Sequence, residues 1–412
     1  MFLVGGTCIG GGMLALPLAT GIAGFMPSIL AMAICWLAMT TSALLLLEAN
    51  LWMEEGAHVI SMASRFLGPY GKAVSWLIYL FICYASIIAY TAGGGVQISL
   101  FFDAAFNWQI SKDVGSFLFI LLFGGVVDLG TRTIGRVNTI LFIALIAAYV
   151  GLVIIGIPEI KTGFLLNRQW SSALMAVPLL LTTFSFQTMV PSLTPYLKRN
   201  GNALRWAIIG GTLITFVVYA IWQALILGIV PVEGPNGLAA VLNSGEPTSQ
   251  FLKEHVQSAY VSVVAEYFAF FAIITSFIGI AFGLFDFLAD GLKIEKKGLG
   301  KLALGLLIVI PTLIGSTQFE RVFLLALDAS GGFGDSILNG MIPVLMVWVG
   351  RYRLGLTGFR IPGGKIVLVA VFIFFSMTLF LEILAHLGYI SSIYDGQHDI
   401  IQVYHPELIE AE

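Results

Sequence analysis

The sequence predicts an all-α integral membrane protein of eleven spans, ten of them forming two five-helix halves of opposite orientation. Three observations carry that expectation. Of the 412 residues, 58% are hydrophobic and 10% charged, with a mean hydropathy of +0.96; soluble domains carry about 25% charged residues. Apolar stretches near the ~20 residues that cross a bilayer recur along the whole chain. Two of these, at corresponding places, are interrupted by small or polar residues and proline.

The spans fall at 1–24, 28–50, 73–102, 115–130, 137–157, 172–195, 204–230, 260–289, 301–317, 320–349 and 364–386, and are numbered 1 to 11 in that order. The Lys and Arg residues orient them. With the loop after span 2 on the cytoplasmic side, 15 basic residues lie inside and 5 outside. The N-terminus is then inside, and the acidic tail 387–412, which holds no Lys or Arg, is outside. An odd number of spans puts the ends on opposite sides. Setting span 11 (364–386) aside leaves residues 1–157 as a first five-helix repeat and 172–349 as an inverted second one, within a single membrane domain of residues 1–386. Span 1 then corresponds to span 6, and these are the two interrupted helices. The longest outside loop, 231–260, holds turn residues and then a helix-like "TSQFLKEHVQSAY" suited to capping an outer vestibule.

Composition also narrows the chemistry. A net charge of −3 argues against a nucleic-acid partner. Cys8, Cys35 and Cys83 lie in apolar segments without CxxC spacing, so neither a disulfide framework nor a zinc site is expected. The histidines form no HExxH motif, and no catalytic triad or cofactor loop is present; no enzyme activity, cofactor or metal is expected. "GPYGK" at 68–72 lacks the spacing of a phosphate loop.

In span 1, "GGTCIGGGMLALP" supplies Gly5, Gly6, Gly10, Gly11 and Gly12 ahead of Pro17. A backbone without Cβ atoms can unwind and approach a ligand closely. Unwinding in a bilayer is tolerated only around a protein-enclosed cavity, where half-helix ends offer N–H groups to an anion and carbonyls to a cation. The competing reading is close helix packing through small residues. In span 6, Thr182, Thr183, Ser185, Gln187 and Thr188 lie between Pro178 and Pro191, with Phe184 and Phe186 alternating among them as walls for an apolar pocket. Paired interrupted helices at matching positions are the sequence pointer to a transporter's substrate site.

Span 3 offers Tyr84 and Tyr90, six residues apart and so on different helix faces; Tyr84 is the candidate taken for the site. Span 8 carries Thr275 and Ser276, and further on Asp286 and Asp290, which the lysines at 293–297 suit as a salt-linked helix end. Ionisable residues inside spans are functional by default, which makes Glu266 in span 8 and Asp328 in span 10 the candidate proton-responsive carboxylates. Glu48, Asp128 and Glu382 lie near span ends and read as interfacial.

These stretches resemble the hydroxy and aromatic amino acid permease family of the amino acid–polyamine–organocation superfamily, in particular its bacterial tyrosine- and tryptophan-specific members. The matching segments are "GGTCIGGGMLALPLA", "YASIIAYTAGGG", "PLLLTTFSFQTMVPSL", "FAFFAIITSFIGIAFGLFDFLADGL" and "PVLMVWVGRYR". The resemblance implies a leucine-transporter-like 5+5 inverted repeat in the bacterial inner membrane and proton-driven uptake of an aromatic amino acid, tyrosine foremost. By that analogy the amino acid head group sits around Gly6, Thr7 and Gly10 to Gly12. Thr183 to Gln187 line the facing wall, and Thr275 and Ser276 lie where sodium-coupled relatives hold a cation. Two departures stand out. Where the family reads "FGFH" in span 6 this chain has "FSFQ", so Ser185 narrows the wall and Gln187 replaces a titratable imidazole. The sequence also begins within span 1, so a native start upstream of Met1 is expected. A sodium-coupled or exchange carrier for small neutral or hydroxy amino acids is the alternative, and a channel or non-transporting sensor a remote one.

Overall fold

The computed structural model describes residues 1–55, 57–128, 131–232, 237, 238, 259–318 and 321–390. The helix expected in the 231–260 loop and the tail beyond residue 390 lie outside them. All the long elements are helices, and eight are long and apolar enough to cross a membrane: spans 2, 3, 5, 7, 8, 9, 10 and 11. Spans 1 and 6 differ because they are interrupted, and span 4 because it is only 17 residues long, Lys112–Asp128.

Span 1 consists of Phe2–Cys8 and Gly11–Thr20, separated by Ile9 and Gly10 in extended conformations. Span 6 consists of Val177–Thr183 and Val190–Tyr196, separated by Phe184 to Phe186 and a 3₁₀ turn Gln187–Met189. Span 3 follows a short helix without a gap: residues 59–106 are helical except at Gly68, whose φ of 73° turns the chain. That conformation favours glycine, and Pro69 then opens the next helix, a position where its missing N–H does no harm. Span 10, Val322–Tyr352, widens into a π-helix over Ser330–Met341.

Spans 3, 4, 5 and 8 pack together, with span 8 against both 3 and 5. Spans 1, 2, 6 and 7 form a second group, in which the first half of span 1 lies on span 7 and span 6 lies on span 2. Span 10 touches spans 2, 3, 6 and 11. Large apolar side chains such as Leu121, Ile143, Val217 and Phe380 point outward, as lipid-facing surfaces require.

Buried charges join the elements. Arg351 grips Glu48 through Nε and Nη2, at 2.6 and 2.5 Å, and the Ile361 N–H also donates to Glu48 at 2.8 Å. Glu48, expected near the end of span 2, is fully buried, because a partner arginine from the end of span 10 covers it. Glu382 is likewise buried, at 2% exposure, with Gly332 of span 10 making room for its carboxyl. Asp286 and Asp290 do form the expected salt-linked end, with Lys296 at 2.7 and 3.5 Å. The hydrogen bond to Asp286 holds Lys296 above the ordinary lysine range.

Candidate functional site

The interruption of span 1 is enclosed by four other helices. The Gly11 N–H, exposed by the loss of helical pairing at Ile9 and Gly10, donates to Ser276 Oγ of span 8 at 2.9 Å. A Cβ on Gly10 would overlap the same hydroxyl, and one on Gly11 would overlap the ring of Tyr90 from span 3. The Tyr90 hydroxyl reaches Ser276 and the Gly12 backbone. Gly12 faces Thr183, which a Cβ would meet at an ordinary 3.7 Å. The last carbonyls of the two leading half-helices, Cys8 and Thr183, lie 2.6 and 2.8 Å from the Tyr219 hydroxyl of span 7, which donates to them. One phenol thus serves both interruptions, and Trp222 one turn later donates to the Met13 carbonyl at 3.0 Å.

The interruption of span 6 is closed differently, by its own side chains. Gln187 accepts from the Phe186 N–H at 2.9 Å and donates to the Met39 carbonyl of span 2 at 3.2 Å. Phe184 and Phe186 are buried, Phe184 edge-on to Tyr219. Ser185 donates to Asp335 Oδ1 of span 10 at 2.7 Å, and Asn339 donates to the same oxygen at 2.6 Å and to Ser185 Oγ at 3.0 Å.

Access to the span 1 interruption is one-sided. Every residue from Gly11 to Thr20 is buried, whereas Thr7 is exposed and Gly6 half-buried. On span 8, Gly279 is exposed with open space beside it, one turn beyond half-buried Ser276 and on the same face. Exposure around the site therefore lies toward the N-terminal end of span 1, and the stretch toward Thr20 is buried. A surface recess of about 360 Å³ lined by Met53, Glu54, Glu55, Ala57 and Arg65 lies beyond the end of span 2, away from both interruptions.

The structure thus brings together Gly10, Gly11, Gly12, Thr183 and Ser276, with Thr7 and Gly6 at the mouth, where Gly6 faces the Phe142 ring. Thr275 bonds back to the Phe271 and Ala272 carbonyls of its own helix. Several candidates lie elsewhere. Tyr84 donates to the Leu307 carbonyl of span 9 at 2.7 Å; Tyr90, about 120° further round the helix, occupies the place expected for Tyr84. Gln187 is turned into span 2 because its amide is what satisfies the unwound backbone. Glu266 is ten residues from Ser276, ~15 Å along the helix, and Asp328 lies two turns before Asp335; both are engaged in interactions of their own. Sequence reasoning missed Tyr219, Asp335 and Asn339. The usable signals were a phenol in the middle of a span, which must find a partner in oil, and an Asp–Asn pair spaced i, i+4 in the glycine-rich "SGGFGDSILNG".

Comparison with known proteins places the chain. Its sequence matches the tryptophan/tyrosine permease family over residues 1–382. The chain belongs to that family. As a family member it is a permease and a multi-pass membrane protein. Among its relatives is a tryptophan-specific transport protein of Haemophilus influenzae, 31% identical over 95% of this chain and 96% of the relative. The tyrosine-specific transport system 1 of the same organism is 30% identical over 90% and 92%. The permease also shares its fold with the crystal structure of MhsT in complex with L-phenylalanine, at a TM-score of 0.64 and 14% identity, covering 93% of this chain and 96% of that one. The expected leucine-transporter-like architecture is therefore the observed one.

Proposed function

We propose that the protein imports an aromatic amino acid, tyrosine foremost, together with a proton, by alternating access in a bacterial cytoplasmic membrane. The observation that carries this reading is the meeting of two interrupted helices at one enclosed place, reached from one side only. The Gly10–Gly12 backbone suits the amino acid head group. Thr183 and the Phe184–Phe186 segment supply the facing wall, and the relatives named above act on tryptophan and tyrosine. Ser185 narrows that wall, which favours the single ring of tyrosine over an indole.

With the N-terminus inside, the open side is cytoplasmic. Spans 1, 2, 6 and 7 rock against spans 3, 4, 5 and 8 in this reading. An inverted repeat is supported by reciprocal packing: span 1 on span 7 mirrors span 6 on span 2. Purified protein in liposomes should accumulate labelled tyrosine under an inward proton gradient, with tryptophan competing less well. Accumulation that needs sodium alone would overturn the coupling, and preference for serine or threonine would overturn the substrate. The sodium-coupled alternative rests on one contact, that of the Ser276 hydroxyl with the span 1 interruption.

A further inference from the structure

Asp335 is a carboxyl at zero exposure in the middle of span 10. Among the described residues, no Lys, Arg or His forms an ion pair with it. Its Oδ1 accepts twice, from Ser185 at 2.7 Å and Asn339 at 2.6 Å. Its Oδ2 is buried with no hydrogen-bond partner among the described residues. An ionised carboxylate left so is costly, whereas a proton on Oδ2 removes the charge.

The remaining polar neighbour decides which form fits. Thr182 lies beside this carboxyl, but its hydroxyl proton is committed to the Leu327 carbonyl at 2.7 Å. With that proton spent, Thr182 supplies no donor to Oδ2, which stays bare unless it carries a proton itself. Thr182 lies in the last turn of the leading half of span 6 and Ser185 inside the interruption, so the carboxyl sits where that helix fails. Losing the proton leaves a buried anion whose Oδ2 has no donor and changes the hold on that interruption.

We propose that Asp335 is the group that carries the coupling proton, held as the neutral acid in the conformation open toward the N-terminal end of span 1. It binds a proton from water at Oδ2 when the outer side is open and returns it to water on the inner side. The other titratable groups on the elements around it are Asp328 on span 10, Tyr79, Cys83, Tyr84 and Tyr90 on span 3, Cys35 on span 2, and Glu382 with His386 on span 11, 3.4 Å apart. Glu48 of span 2 is already paired with Arg351. Span 6 has none between Val177 and Pro195.

The proposal rests on proton-coupled transport, and the test separates the two. Asp335→Asn keeps the acceptor for Ser185 and Asn339 and offers Thr182 a permanent N–H, imitating the protonated acid. In tyrosine-loaded liposomes the variant should retain exchange of labelled tyrosine, with its apparent affinity no longer pH-dependent. Proton-driven net accumulation should fall about tenfold or more. Glu382→Gln should keep that accumulation. Full proton-driven accumulation by Asp335→Asn overturns the assignment and leaves the coupling reading intact. Loss of exchange together with accumulation, in protein still stabilised by tyrosine on heating, also overturns it, as does loss of the proton drive in Glu382→Gln alone. Wild type that exchanges tyrosine but never responds to a proton gradient overturns both readings.

Discussion

The interruptions of spans 1 and 6 are the same backbone event built from opposite materials. Span 1 is opened by the absence of side chains: Gly10 and Gly11 leave space that Ser276 and Tyr90, from other helices, enter. Span 6 is opened by the presence of them: Gln187 binds its own backbone and span 2, while Ser185 reaches span 10. An interruption made of nothing is defined by its neighbours and stays available to a ligand. One made of polar side chains carries its own satisfaction and ties the helix to a scaffold. The first suits the group common to all amino acids, and the second suits discrimination and coupling.

Four substitutions should break or sharpen this contrast. The largest effect is expected from Gly11→Leu, which drives a side chain into the Tyr90 ring. Overpacking of this kind costs ~1–3 kcal/mol and fills the unwound region, so labelled uptake should vanish while the protein still partitions with membranes. Tyr219→Phe comes next, since it takes the donor from Cys8 and Thr183 at once. Leaving buried acceptors bare costs ~1–3 kcal/mol each, and uptake should fall about tenfold, with a lower melting temperature in detergent. Gln187→Leu should lower the melting temperature by a comparable penalty for the Phe186 N–H and Met39 carbonyl. The ratio of tyrosine to tryptophan uptake should hold, because this amide faces span 2; a changed ratio would return Gln187 to the substrate wall. Gly12→Ala should matter least. Its new methyl meets Thr183 at van der Waals distance, so transport should stay near wild type and stability within about 0.5 kcal/mol.

Much of the fold was legible because bilayer physics is one-dimensional. Length and hydropathy gave the order of the spans, and glycine runs or proline brackets marked where a helix had to fail. Phase and company were not legible. Tyr84 and Tyr90 were known to point apart, but which one meets span 1 depends on how span 3 is rotated after the turn at Gly68. The surroundings of Glu48 and Glu382 were not legible, since hydropathy says nothing of Arg351 arriving from 303 residues away. Span 10 holds two acids, Asp328 and Asp335, and the sequence does not say which of them meets span 6. Gln187 was read as facing a ligand when the unwound backbone had the prior claim on it.

The Tyr219 hydroxyl has one proton and two carbonyls to serve. It therefore acts as an interlock: pulling the leading half of span 1 away and pulling the leading half of span 6 away both break bonds to the same atom. Neither half can shift without disturbing the fastening of the other. The two interruptions, far apart in the chain, are therefore joined through a single atom.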